Sequence, residues 1–173
     1  AWNHYQDVWP SAKQLFDDFL TNIGMRNLAI FQTKAIRSIF QDLLRLERSE
    51  NGEARSGKII AAGTGTGKTE GFLFPHLLLQ ILHKLKQDPQ ETTLFCIYPR
   101  NRLAANQLER FLRYAIAINE LLSHTPVSGR ILVGMSNQDV PRDWQTLVDT
   151  RSKVIAPDGR RALLLKEKEP IVC

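Results

Sequence analysis

The chain has 173 residues, enough for one ordinary domain, and its 43% apolar and 24% charged content is that of a folded protein, which excludes whole-chain disorder. Lys and Arg outnumber Asp and Glu by 23 to 18, a net charge of +5 that permits a polyanionic partner without demonstrating one. No apolar run approaches the roughly 18 residues of a membrane span, so no membrane partner is expected, and two cysteines, Cys96 and Cys173, are too few for a disulfide framework and fit a reducing, cytoplasmic setting.

The chain opens without a Met and without the basic and apolar blocks of a secretory leader, as a processed or excised piece would. Residues 12–22 predict a short helix ending near Gly24. Residues 27–48 place Leu28, Phe31, Ala35, Ile36, Ile39, Phe40, Leu43 and Leu44 at three- and four-residue spacing, which predicts an amphipathic helix with one broad apolar face. Residues 49–57 form a polar loop. Lys58 to Ala62 reads as a short buried strand that runs into a glycine-rich turn. A Leu-rich helix follows from Thr69 to about Lys86, with Pro75 placed to kink its second turn. Thr92 to Tyr98 is a second strand closed by Pro99, a long helix runs from about Arg102 to Leu122, and Arg130 to Met135 is a third strand. Strands and helices alternating with connections of this length imply parallel strands and right-handed crossovers, an α/β fold with a parallel sheet flanked by helices. Beyond Ser136 the pattern supports a short helix at 140–152 and one or two extended segments at 153–173. Phe72, Phe74, Phe95 and Tyr98 follow the apolar pattern and read as core. His76 and His83, on the Leu-rich helix, read as surface histidines with no further ligands beside them.

The chemistry lies in Ala62-Gly63-Thr64-Gly65-Thr66-Gly67-Lys68-Thr69. The general phosphate loop is Gly, any four residues, then Gly-Lys-Ser/Thr. Here Ala62 takes the place of the first Gly. Small residues let backbone N–H groups turn inward around a phosphate, and the helix that starts at Thr69 adds its positive end. Lys68 can reach the β- and γ-phosphates of a nucleotide, and the Thr69 hydroxyl can ligate Mg²⁺. A glycine-rich turn with a chance Lys-Thr is the alternative; the position between a strand and a helix speaks against it.

The pattern Ala-x-x-Gly-x-Gly-Lys-Thr resembles motif I of superfamily 2 helicases and translocases. Phe31-Gln32-Thr33-Lys34-Ala35-Ile36, upstream, resembles the Q motif of that family, whose Gln reads adenine; taken alone, Gln32 reads as a solvated helix residue. Thr69-Glu70-Gly71-Phe72-Leu73-Phe74-Pro75 is similar to a run after motif I in large DNA helicases. Tyr98-Pro99-Arg100-Asn101-Arg102-Leu103-Ala104-Ala105-Asn106-Gln107 resembles motif Ia. The resemblance covers about residues 12–135 and is closest to large bacterial and archaeal DNA helicases of the Lhr-like and DUF1998-associated kind, some of whose relatives act in antiviral defence.

The resemblance implies a RecA-like ATP-binding domain, with residues 1–50 as N-terminal helices carrying the Q motif and 51–173 as its front part. It implies ATP and Mg²⁺ held by Gln32, Gly63, Thr64, Gly65, Thr66, Gly67, Lys68 and Thr69, with Lys68 and Thr69 catalytic and Thr69 the metal ligand. It implies nucleic acid, preferably DNA, at Pro99, Arg100, Asn101 and Arg102, where a solvated arginine pair is the bland alternative. No Asp-Glu dipeptide occurs in the chain, so the family's motif II is not in it, nor is the second RecA-like domain. The expectation is an incomplete first motor domain, inactive by itself. Cys173 reads as a free thiol. The competing function is a nucleotide-binding switch that separates no strands; the Arg-rich segment after the second strand favours the motor.

Overall fold

The computed structural model describes residues 2–25, 27–46, 57–63, 65–88, 94–127 and 129–135. These contain five α-helices: α1 (Trp2–Tyr5), α2 (Trp9–Asn22), α3 (Ile30–Leu46), α4 (Lys68–Lys86) and α5 (Asn101–Ser123). The chain divides into two units, Ala1–Cys96 with Tyr114–Ile131, and Ile97–Arg113 with Leu132–Cys173.

The first unit is organised around α4. From Glu70 to Lys86 none of its residues is exposed, and Leu, Ile and Phe fill most of these positions, so the helix is covered all round. α2 and α3 both pack on it, and Phe19, Phe74, Pro75, Ile81, Leu82, Ile118 and Leu122 are fully buried. Phe74 meets Phe16, Phe19 and Tyr114 at ring separations of 5.7, 5.6 and 5.6 Å in edge-to-face geometry, the arrangement that sets a positive ring edge on a negative ring face. Gly71 and Ala35 let α3 and α4 approach closely, since a Cβ on Gly71 would lie 3.6 Å from that of Ala35. α4 runs unbroken through Pro75.

The helix ends follow local chemistry. α2 begins at Trp9, earlier than the periodicity indicates, because Pro10 in the first turn has no N–H to leave unsatisfied. It closes on left-handed Gly24 (φ 76°), with Gly24 N–H donating to Thr21 O and Met25 N–H to Leu20 O at 3.0 and 2.8 Å, the paired bonds of a Schellman ending. α4 ends in the same way with Gln87 in the left-handed position (φ 57°). α1, with no signal in the apolar pattern, is tied to that end: His4 Nε2 lies 3.1 Å from an Asp88 carboxylate oxygen, Tyr5 donates to Asp88 at 3.2 Å, and Lys86 pairs with Asp7 at 2.8 Å. The Lys86 ammonium beside it holds the Asp7 carboxyl below its ordinary value. His83, expected on the surface, is buried and stacks on Tyr5 with ring centroids 6.0 Å apart.

The expected parallel sheet is overturned: among the described residues there is no strand, and the described chain is helical. Residues 58–62, 94–98 and 131–135 are irregular. Burial along the second and third alternates residue by residue, so each covers one side only. Ile59, Phe95, Ile97 and Leu132 are 96%, 81%, 83% and 65% exposed, whereas strands of a covered parallel sheet bury both faces. Phe95 is therefore not core. Backbone groups that a ladder would use have other partners. The Asn119 side chain takes both the N–H and the C=O of Ile131, at 2.7 and 2.9 Å, and the Ala62 carbonyl accepts from Lys68 at 2.8 Å. The segments expected at 140–152 and 153–173 lie outside the described residues.

Candidate nucleotide site at the start of α4

Two glycines shape the loop. Gly65 and Gly67 have φ of +75° and +82°, a region in which only glycine rests without strain. Gly67 is the residue that leads into α4. A left-handed residue followed by right-handed helix turns successive N–H groups toward one point, the geometry of an anion nest. The Thr66 hydroxyl donates to Gly63 O at 2.7 Å and stiffens the turn. Lys68, first residue of α4, folds back across the loop and donates to Ala62 O at 2.8 Å and Gly63 O at 2.6 Å. An ammonium carries three N–H groups, so this lysine closes the ring and still has a donor to aim at a phosphate. Thr69, next to it, is half-buried. Thr64 lies outside the described residues. Lys58 anchors the segment before the loop to α3 through Asp42, at 2.8 Å, and the Ser38 hydroxyl.

Gln32 is brought to this loop from α3. It is 4% exposed. Its Nε2 donates to Gly67 O at 2.9 Å, and its Oε1 accepts from Ala29 N–H at 2.8 Å. Gly67 O also receives the N–H of Gly71 at 3.4 Å. Gln32 is thus a brace between the start of α3 and the phosphate loop. A Cβ on Gly67 would stand 2.4 Å from Gln32 Nε2 and 3.2 Å from Glu70 Oε2, so one would have to displace the Gln32 amide.

Glu70 and Tyr114 join this site from outside the motif. Glu70 is 5% exposed in the first turn of α4, and its Oε1 accepts from the Tyr114 hydroxyl at 2.9 Å. An acid set directly after the Lys-Thr pair and before an apolar run is a signal that could have marked Glu70. Tyr114 carries none, since in the sequence it is one more apolar position of a long helix.

In the second unit, Pro99 and Arg100 bend the chain into α5. Arg100 O accepts the N–H groups of Leu103 and Ala104, both at 3.1 Å. Pro99, Arg100, Asn101 and Arg102 are exposed, and the first turn of α5 has no acidic residue.

A glycine-shaped loop closed by a lysine on a helix N-terminus is an arrangement suited to a phosphate group. The chain belongs to the DEAD/DEAH box helicase family, whose pattern it matches over residues 29–169. Among curated proteins and among solved structures, none matches it. The family assigns a helicase-type, nucleotide-dependent function in general, with nucleic acid as partner and ATP with a divalent metal as the customary cofactors. No described helix is long and apolar enough to cross a membrane.

Proposed function

We propose that the first unit binds ATP and Mg²⁺ at the start of α4, and that the protein couples ATP hydrolysis to movement on DNA together with a second motor domain. The observation that carries this reading is Lys68, drawn across a loop with two left-handed glycines onto the carbonyls of Ala62 and Gly63. Lys68 would direct its remaining N–H and its charge at the β- and γ-phosphate oxygens. The N–H groups of Gly63 and of Gly65 through Lys68 would cradle the phosphates, and the Thr69 hydroxyl would ligate the metal. A metal held there would supply charge neutralisation to the phosphates. The Gln32 amide has one N–H and one lone pair beyond its two bonds, which suit the donor and acceptor of the adenine edge.

Arg100 and Arg102 support the nucleic-acid part. Cations at a helix N-terminus oppose the helix dipole, and that arrangement becomes favourable when a phosphate sits between them and the N–H groups. The run from Thr69 to Pro75 supports a large DNA helicase over an RNA enzyme. Since the sequence has no Asp-Glu pair, these 173 residues alone hold nucleotide without turning it over. Steady-state phosphate release from them above a Lys68→Ala control would refute that point.

Thermal melting tests the nucleotide reading. A ligand that binds only the folded state stabilises it by mass action, by about 2.7 kcal/mol at a hundredfold excess over Kd, and so raises Tm. Millimolar Mg²⁺-ATP is expected to raise the Tm of the protein and to leave Lys68→Ala unmoved. A Tm that does not respond, or responds equally in the two proteins, overturns the assignment.

A further inference from the structure

Resting on that nucleotide-binding reading, we propose that Glu70 and Tyr114 are positioning residues of the phosphate loop. The Tyr114 hydroxyl holds the Glu70 carboxyl against Gly67, and so fixes the first turn of α4 and the N–H groups that face a phosphate.

Four observations converge on this. Glu70 directly follows Lys68 and Thr69, so its side chain and the site share one helical turn. Both partners are buried, at 5% and 8% exposure, and their 2.9 Å bond joins residues 44 apart in sequence. Glu70 Oε2 would lie 3.2 Å from a Cβ on Gly67, the same point that Gln32 Nε2 would approach to 2.4 Å. The left-handed turn at Gly67 is therefore enclosed by the Gln32 amide and the Glu70 carboxyl. Finally, the Tyr114 ring is itself held edge-on by Phe19 and Phe74, at 5.6 Å from each, so its hydroxyl is delivered from a rigid position.

A carboxyl beside an anion site needs a reason. Left to rotate, Glu70 could swing toward the cradle, where a negative charge repels phosphate. Bonded to Tyr114, it is kept on the inner side of the helix. There an acid in the first turn also favours the positive end of the α4 dipole, so the turn is stiffened without loss of the charge that the cradle offers.

The test uses Tyr114→Phe, which keeps the ring packing and removes only the hydroxyl, with Glu70→Ala and Glu70→Gln beside it. In the ligand-free protein, amide hydrogen exchange of a peptide covering residues 65–71 is expected to speed up in Tyr114→Phe and Glu70→Ala. A peptide covering 77–86 is expected to keep its rate. Affinity for a fluorescent ATP analogue should fall about tenfold in both, the equivalent of one lost buried hydrogen bond. Glu70→Gln retains an acceptor for the hydroxyl and should lose less than Glu70→Ala. The double variant Glu70→Ala with Tyr114→Phe should lose no more than either single one. Unchanged exchange at 65–71 in Tyr114→Phe overturns the proposal, as does faster exchange spread equally over both peptides, which would mark general loosening. If wild type binds the analogue, Lys68→Ala does not, and Tyr114→Phe binds like wild type, the positioning role falls and the nucleotide site stands. If wild type itself fails to bind, both fall.

Discussion

α4 and α5 each begin with groups suited to an anion, yet they are built in opposite ways. The start of α4 is led in by left-handed Gly67, carries an acid in its first turn, and is enclosed by the buried side chains of Gln32, Glu70 and Tyr114. The start of α5 is led in by Pro99 and Arg100, has no acid in its first turn, and leaves Arg100, Asn101 and Arg102 exposed. A braced loop offers fixed N–H groups to one small anion in one pose, and the cost of ordering it is met in folding. Two long cations on an open helix start suit a polymer whose phosphates recur, where contact matters and pose does not. On the proposed reading, the same helix end serves a specific ligand or a general one according to what stands behind it.

Four experiments test this contrast, beginning with the strongest. Lys68→Ala removes the one side-chain cation of the braced loop and is expected to weaken ATP binding by on the order of a hundredfold or more, while single-stranded DNA binding in the absence of nucleotide is retained. Isothermal titration with Mg²⁺-ATP reads the first part; wild-type affinity would show that the loop is a turn and not a site.

Gly67→Ala and Gly65→Ala divide backbone strain from enclosure. Both force a side chain into a left-handed conformation, at about 1–2 kcal/mol. At Gly65 nothing lies within 4 Å of the new Cβ, whereas at Gly67 it meets Gln32 Nε2 at 2.4 Å and breaks the brace. Gly67→Ala should therefore lower Tm further and cost about tenfold more ATP affinity than Gly65→Ala. Equal losses in the two variants would mean that Gln32 and Glu70 do not enclose the turn.

Gln32→Ala should weaken ATP about tenfold and GTP less, since guanine reverses donor and acceptor at the edge that an amide can read. Competition titrations with both nucleotides measure the ratio. If both fall together, Gln32 is a brace of the loop and reads no base.

The smallest effect belongs to the open helix start. Arg100→Ala combined with Arg102→Ala is expected to weaken single-stranded DNA binding several-fold and equally for every sequence. The slope of log K against log salt should become shallower by about 0.7–1.4, the share of one or two phosphate contacts. Fluorescence anisotropy across a salt series that gives the wild-type slope would remove α5 from the nucleic-acid contacts and favour a nucleotide switch.

The helices were legible because their cause is local. The apolar spacing from Leu28 to Leu44 and the Leu-rich run after Thr69 imply α3 and α4 to within a few residues, and Gly24 marks the end of α2. The glycine loop was legible for a related reason, since Gly65 and Gly67 stand where the chain needs positive φ. The strand reading of 58–62, 92–98 and 130–135 was overturned, since none of the described residues there is in a strand. An apolar run such as residues 94–98 looks the same whether it pairs or is covered on one side only, and here Phe95 and Ile97 are exposed. Nor did any pattern mark Tyr114 as the partner of Glu70, or Gly67 as the partner of Gln32.

The sequence by itself determined where the chain coils, where it must turn left-handed, and which lysine follows the turn, because each rests on dihedral and packing preferences of residues within a few positions of one another. Only the tertiary structure decided that Gln32 reaches Gly67 across 35 residues and Tyr114 reaches Glu70 across 44, and that Asn119 occupies the backbone groups of Ile131 which a ladder would have used. Such bonds form between groups distant in the chain. They exist only once loops have closed and neighbouring side chains have excluded water, conditions that no local stretch of residues carries.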